Sequence, residues 1–166
     1  MTSPVAYATR VLILLSFVAP PVARAQASPD VSVTGELRID AIVAATRTAL
    51  HAGGGLQIPA GYYARIGILG AAGADAVSGG AEASARLDVL GRFLFDPFRQ
   101  NPWGLSAGAG VSLRVREHDR MRPYLITVID LEGPLGTSGI APAFQLGLGG
   151  GVRVGAAMRW GARGAR

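Results

Sequence analysis

Residues Ala81–Pro97 read Ala-Glu-Ala-Ser-Ala-Arg-Leu-Asp-Val-Leu-Gly-Arg-Phe-Leu-Phe-Asp-Pro. The odd positions, Ala81, Ala83, Ala85, Leu87, Val89, Gly91, Phe93 and Phe95, are apolar. The even positions carry Glu82, Ser84, Arg86, Asp88, Arg92 and Asp96, interrupted by Leu90 and Leu94. Alternation at period two marks a β-strand with one apolar and one polar face. It persists for about fifteen residues, where a soluble strand has about five or six. A strand that crosses a bilayer needs about 9–11 residues and shows the same dyad.

The rest of the chain repeats this unit. Working outward, Trp103, Leu105, Ala107, Ala109, Val111, Leu113 and Val115 alternate with small or charged residues to Arg116. From Val31 the pattern starts with Val33, Gly35, Leu37 and Ile39 against Thr34, Glu36, Arg38 and Asp40. The expected strands run over 34–45, 48–58, 62–73, the opening stretch, 103–116 and 122–131. In the last of these both faces carry aliphatics. A phase slip near Thr46-Arg47, the Pro59-Ala60-Gly61 turn, and loops at 73–80, 96–102, 117–120 and 133–139 separate them. Pro142 to Trp160 keeps one phase throughout, either as one long strand or as a hairpin through Gly149-Gly150-Gly151, since a three-residue turn preserves parity. The hairpin gives eight strands, an even number that can close. The expected fold is all-β, an antiparallel up-and-down transmembrane β-barrel of eight strands.

Residues 1–27 have the features of a secretory leader. Arg10 ends a weakly basic segment, Val11–Ala19 is a short apolar core, and small-residue cleavage sites follow at Ala25 and Ala27. The barrel domain would then be 28–166. The chain has no cysteine and no lysine, and all 16 of its basic residues are arginine, with a formal charge of +5. Charge so mild and so dispersed does not point to nucleic acid. No later apolar run approaches the roughly 18 residues of a spanning helix.

With both termini at one end of the barrel, Tyr62, Phe93, Phe95, Trp103, Phe144 and Trp160 gather there, on the outward face. Rings at one level are what a lipid headgroup girdle requires. The opposite girdle is poor, with Tyr124 its one candidate. On the inward face, neighbouring strands carry opposite charge. Glu36 and Asp40 on strand 1 face Arg153 and Arg159 on strand 8; Glu82 and Asp88 on strand 4, which also carries Arg86, face Arg114 and Arg116 on strand 5. Eight strands enclose only enough room for side chains. A lumen plugged by arginine–carboxylate pairs follows, not an open pore.

The mature chain resembles the small outer-membrane β-barrel domain proteins. The most specific element is Arg153-Val154-Gly155-Ala156-Ala157-Met158-Arg159-Trp160, which is similar to that family's C-terminal assembly signal: polar, any, Gly, two of any, hydrophobic, any, aromatic. The family usually ends at the aromatic, whereas here Gly161–Arg166 follow. The resemblance implies an outer-membrane location, contact with the assembly machinery during biogenesis, and a monomer in outer-membrane lipid.

Catalytic signals are sparse. His51 and His118 have no metal spacing, and the glycine runs 53–55 and 147–151 lack the Lys-Ser/Thr of a phosphate loop. No cofactor is expected. Some eight-stranded barrels are lipid-A acyltransferases with His, Asp and Ser near the outer rim; His51, Asp75 and Ser78 would lie near that end here, but no fixed motif makes them a triad rather than ordinary loop polars. The expected function is a non-enzymatic envelope barrel. The alternatives are a soluble secreted or periplasmic barrel binding a small apolar ligand, with its aromatics inside, and the acyltransferase.

Overall fold

The computed structural model describes residues 32–77, 80–98, 100–116 and 119–161. The expected leader, residues 1–27, lies outside them, as do Ser78, His118 and the tail 162–166. The described chain forms β1 (Thr34–Ala44), β2 (Arg47–Pro59), β3 (Ala64–Val77), β4 (Gly80–Leu94), β5 (Gly104–Arg116), β6 (Asp119–Glu132), β7 (Ile140–Leu148) and β8 (Val152–Gly161). Each strand pairs antiparallel with its sequence neighbour, and β1 closes on β8. The segment 142–160 is a hairpin. Gly149, Gly150 and Gly151 all take positive φ, 153°, 66° and 144°, a turn that other residues reach only with strain.

The register fixes the tilt. Paired residues lead from Ile58 in β2 through Ile66, Gly91, Ala109, Thr127, Leu148, Val152 and Val43, and return to β2 at Thr48, ten residues away. Closure with such a stagger tilts strands by about 40°. The proximal end carries the start of β1 and the end of β8. The distal end carries the β1–β2, β3–β4, β5–β6 and β7–β8 turns.

Polarity is inverted relative to a water-soluble fold. Leu37, Ile39, Leu50, Leu56, Val89, Phe144, Leu146 and Val154 are exposed on the outer face. Glu36, Arg38, Asp40, Asp88, Arg92, Asp130, Arg153 and Arg159 are buried inside. A smaller apolar core, Leu69, Leu90, Ile126 and Val128, fills one sector of the lumen. Gly110 sits between Leu90 and Ile126, and Gly108 between Arg92 and Val128, so the strand between them yields its space.

Two strands exceed their expected limits. The expected loop at 73–80 is instead the end of β3, to Val77, and the start of β4 at Gly80. Residues 71–76 are mostly Ala and Gly, so their two faces do not contrast in sequence. Pairing of Thr48 with Ala76 and of Val77 with Gly80 holds them extended. The two aliphatic faces of β6 resolve as Ile126 and Val128 inward and Leu125, Ile129 and Leu131 outward. Pairing of β6 with β7 starts at Thr127. The preceding stretch is an edge, and it carries Arg120, Arg122 and Pro123, residue types that blunt edge-to-edge association.

Candidate functional site

The chemistry concentrates in the lumen, where strand alternation delivers every second side chain. Near the proximal end, Arg159 on β8 is a hub. Its Nε donates to Glu36 Oε2 at 2.8 Å, Nη1 to Glu132 Oε2 at 3.0 Å, and Nη2 to Asp130 Oδ1 at 2.8 Å. Arg92 Nε donates to Asp130 Oδ2 at 3.1 Å, and Gln145 Nε2 donates to Asp130 Oδ1 at 2.9 Å. Arg38 donates to Gln145 and pairs with Glu36 and Asp40 at 3.4 and 3.3 Å. At mid-height Arg86 grips Asp40 through both terminal nitrogens, while Arg153 and Ser112 donate to the two oxygens of Asp88 at 2.6 Å each. Towards the distal end, Ser84 Oγ donates to Asp75 Oδ1 at 2.7 Å and lies 2.9 Å from His51 Nε2. Arg114 also donates to Asp75.

The expected pairing of adjacent strands is met at Arg159–Glu36 across β8–β1, and at Arg116–Glu82 across β5–β4. The latter pair, 3.8 Å apart, is part-exposed at the distal mouth and is not enclosed. Elsewhere the partners differ from that expectation. Arg153 reaches across the lumen to Asp88 of β4, Arg86 to Asp40 of β1, and Arg114 to Asp75 of β3. Long guanidinium arms span a lumen that eight strands keep narrow. Arg38, Arg92, Asp130, Glu132, Gln57, Gln145, Ser84, Ser112 and Asp75 also belong to the network and are not in the expected lumen set. Arg38, Arg92 and Ser84 stand in the inward phase of clean strands, so parity alone could have found them. Asp130 lay hidden in the ambiguous β6.

Aromatic placement follows the expectation at the proximal end, with additions. Phe93 lies at the end of β4 and Trp160 at the end of β8, both exposed outward; Phe144 is a correction, outward and exposed but at the middle of β7, because the strand already begins at Ile140. Tyr62, Phe95 and Trp103 flank strands rather than belonging to them, and are also exposed. Tyr63 and Phe98 join this belt. Tyr63 stacks on Phe93 with centroids 5.9 Å apart, and Phe98 meets Tyr63 edge-on at 6.2 Å and Tyr62 at 6.1 Å. Tyr63 lies in the β2–β3 turn, where strand parity no longer sets direction. Tyr124, the expected distal girdle residue, is a correction. It shares the inward face with Ser112, half-buried; its hydroxyl accepts from Arg47 at 3.3 Å, and the Arg47 guanidinium lies 5.8 Å from its ring centroid.

The weighed trio of His51, Asp75 and Ser78 is only partly testable, because Ser78 lies outside the described residues. His51 and Asp75 are joined through Ser84, and all three are buried. In that arrangement Ser84 Oγ donates to Asp75 Oδ1 while also lying within hydrogen-bond distance of His51 Nε2. The geometry ties β2, β3 and β4 together.

Fold and site together define a closed eight-stranded antiparallel barrel with an ionic interior and an apolar exterior. No protein-family model matches the chain, and no curated protein matches it. Among solved structures it is similar to a chain from "De novo design of transmembrane beta-barrels", with a TM-score of 0.53 and 11% sequence identity. That likeness covers 82% of this chain and 99% of the other. At that identity it speaks to the fold alone.

Proposed function

We propose that this chain is a membrane-spanning barrel of the outer membrane, monomeric and non-enzymatic, with a side-chain-plugged lumen and a structural or interaction role in the envelope. The observation that carries this reading is the inversion of polarity: Leu, Ile, Val and ring side chains face out, and arginine–carboxylate pairs fill the interior. In water the exposed apolar wall would lose the burial that stabilises a soluble domain, whereas hydrocarbon makes it favourable. Strands of 9 to 15 residues, tilted by about 40°, are long enough for an apolar band about 25 Å tall. The designed transmembrane barrel offers a fold precedent of the same kind. A soluble carrier of apolar ligands would need an apolar cavity, and the lumen contains ion pairs instead. The leader-like segment and the Arg153–Trp160 sequence support export and handling by the assembly machinery.

The test is fractionation of cells expressing the full chain. The protein is expected in the outer-membrane fraction, extractable only with detergent, with faster gel migration before boiling than after. A soluble periplasmic protein without that mobility change would refute the reading.

A further inference from the structure

The proximal lumen network is one link short of a ring. Arg159 Nε and Gln57 Nε2 both donate to Glu36 Oε2. Arg159 Nη2 donates to Asp130 Oδ1, and Arg92 Nε to Asp130 Oδ2. These bonds lead from Gln57 through Glu36, Arg159 and Asp130 to Arg92, on β2, β1, β8, β6 and β4 in turn. Both ends of the series carry unused polar atoms. Among the described residues, Arg92 Nη1 and Nη2 and Gln57 Oε1 are buried atoms to which no protein group is hydrogen-bonded. Arg92 is 2% and Gln57 1% exposed, so bulk solvent does not supply the partner. Polar atoms buried in this way are costly unless satisfied.

The two ends meet over Gly67. Gln57 stands opposite Gly67 in the β2–β3 register, where facing Cβ positions are about 4.5–5.5 Å apart. Arg92 Nη1 lies 2.6 Å from the point a Cβ on Gly67 would occupy, so the glycine admits the guanidinium beside Gln57. Turning the Gln57 amide over would set its oxygen against the Glu36 carboxylate, so Oε1 keeps its direction. Leu69 Cδ1, 3.5 Å from the same point, and Leu90, the β4 partner of Gly67, bound the site with apolar surface. We propose that a buried water molecule bridges Arg92 and Gln57 at this place and closes a hydrogen-bonded ring through five strands. Water suits the polar set, because it accepts from Arg92 and donates to Gln57 Oε1; an anion only accepts and would face the amide oxygen. Charge agrees. The buried described residues include six arginines and six Asp or Glu, so the lumen holds no surplus positive charge for an anion to neutralise. The inference rests on the closed barrel and not on the membrane reading.

The test is a crystal structure of the full-length protein at a resolution that shows ordered water. Crystals are grown from detergent, or from buffer where fractionation finds the protein soluble, so the test survives failure of the envelope reading. The wild-type map is expected to show a solvent peak about 2.7–3.2 Å from both an Arg92 terminal nitrogen and Gln57 Oε1. Gln57→Leu is expected to lose that peak while the pairing of β2 with β3 stays as it is. Where that variant does not fold, Arg92→Met takes its place with the same expectation, and the wild-type map decides alone if neither folds. A direct hydrogen bond between Arg92 and Gln57, or a peak unmoved in Gln57→Leu, overturns the proposal. An anomalous signal at the same point after soaking in bromide assigns the site to an anion and overturns it as well.

Discussion

Replacing Arg159 with methionine tests whether the lumen network holds the barrel together. The guanidinium makes three charge-assisted hydrogen bonds, at 2.8, 3.0 and 2.8 Å, to carboxylates on β1 and β6. At about 1.5–3 kcal/mol each, their gross loss is about 5–9 kcal/mol. Two effects reduce it. Methionine removes the cost of burying a guanidinium, and each carboxylate keeps other donors. Glu36 retains Arg38 and Gln57, Asp130 retains Arg92 and Gln145, and Glu132 retains Arg65 at 3.5 Å. The net loss should fall to about 3–5 kcal/mol, the range for breaking a buried pair. Urea unfolding in phosphatidylcholine vesicles, followed by the fluorescence of Trp103 and Trp160, measures it. Arg159→Lys keeps the charge but not the fork, and should recover only part of the loss. A methionine variant within about 1 kcal/mol of wild type would refute the reasoning and reduce the ion pairs to passive filling.

Three further outcomes are expected. Ile39→Arg, on the outer face midway along β1, should cost about 2–4 kcal/mol in a bilayer, where a water-exposed position would be nearly neutral; equilibrium unfolding in vesicles reads it. Gly53→Val should prevent folding, because a Cβ there would sit 2.1 Å from the Gly70 carbonyl oxygen, whereas Gly70→Val points into open space and should fold; the heat-modifiable gel shift separates them. Planar bilayer recordings of the purified barrel should show no steady open-channel current, since Arg159, Arg153, Arg86 and their carboxylates occupy the lumen at successive heights; a stable ohmic conductance would contradict a plugged interior.

The sequence made the fold legible wherever large and polar residues alternated. In β4 and β5 the contrast between faces is strong, and strand, phase and partner followed. In β3 beyond Gly73 small residues leave neither face with a signature, so the sequence reads as a loop where the strand in fact continues to Val77. In β6 the phase was unreadable, because Ile126 and Val128 serve an apolar sector of the lumen while Leu125 and Ile129 face outward. The inward charges were legible by parity, but not their partners: Arg153 sits next to β1 yet bonds Asp88 of β4. Parity specifies a face, and only three-dimensional closure specifies which residues meet across it. Tyr124 turns inward for the same reason that β6 is hard to read: both of its faces carry large side chains, so the sequence does not show which one meets the lumen.

An apolar exterior alone cannot choose how such a barrel closes. A one-residue slip of β8 would turn Arg153 and Arg159 into hydrocarbon and is excluded at once. A slip of two residues keeps every face correct, so hydrophobicity is indifferent to it. The β1–β8 seam, which joins strands far apart in sequence, meets that problem with three fitted pairs. Glu36 stands opposite Arg159, Asp40 opposite Gly155, and Gly35 opposite Trp160, whose indole fills the space a side chain at Gly35 would take, 2.6 Å from its Cβ position. Sliding β8 by two residues one way sets Arg159 opposite Arg38, like charge against like, and Trp160 opposite Leu37 in place of the glycine that receives it. Sliding it the other way leaves Arg159 opposite Thr34 and Glu36 opposite Ala157. The buried charges, poor contributors to net stability because desolvation offsets their attraction, thus distinguish one register from its near-equivalents, which the outer wall cannot do.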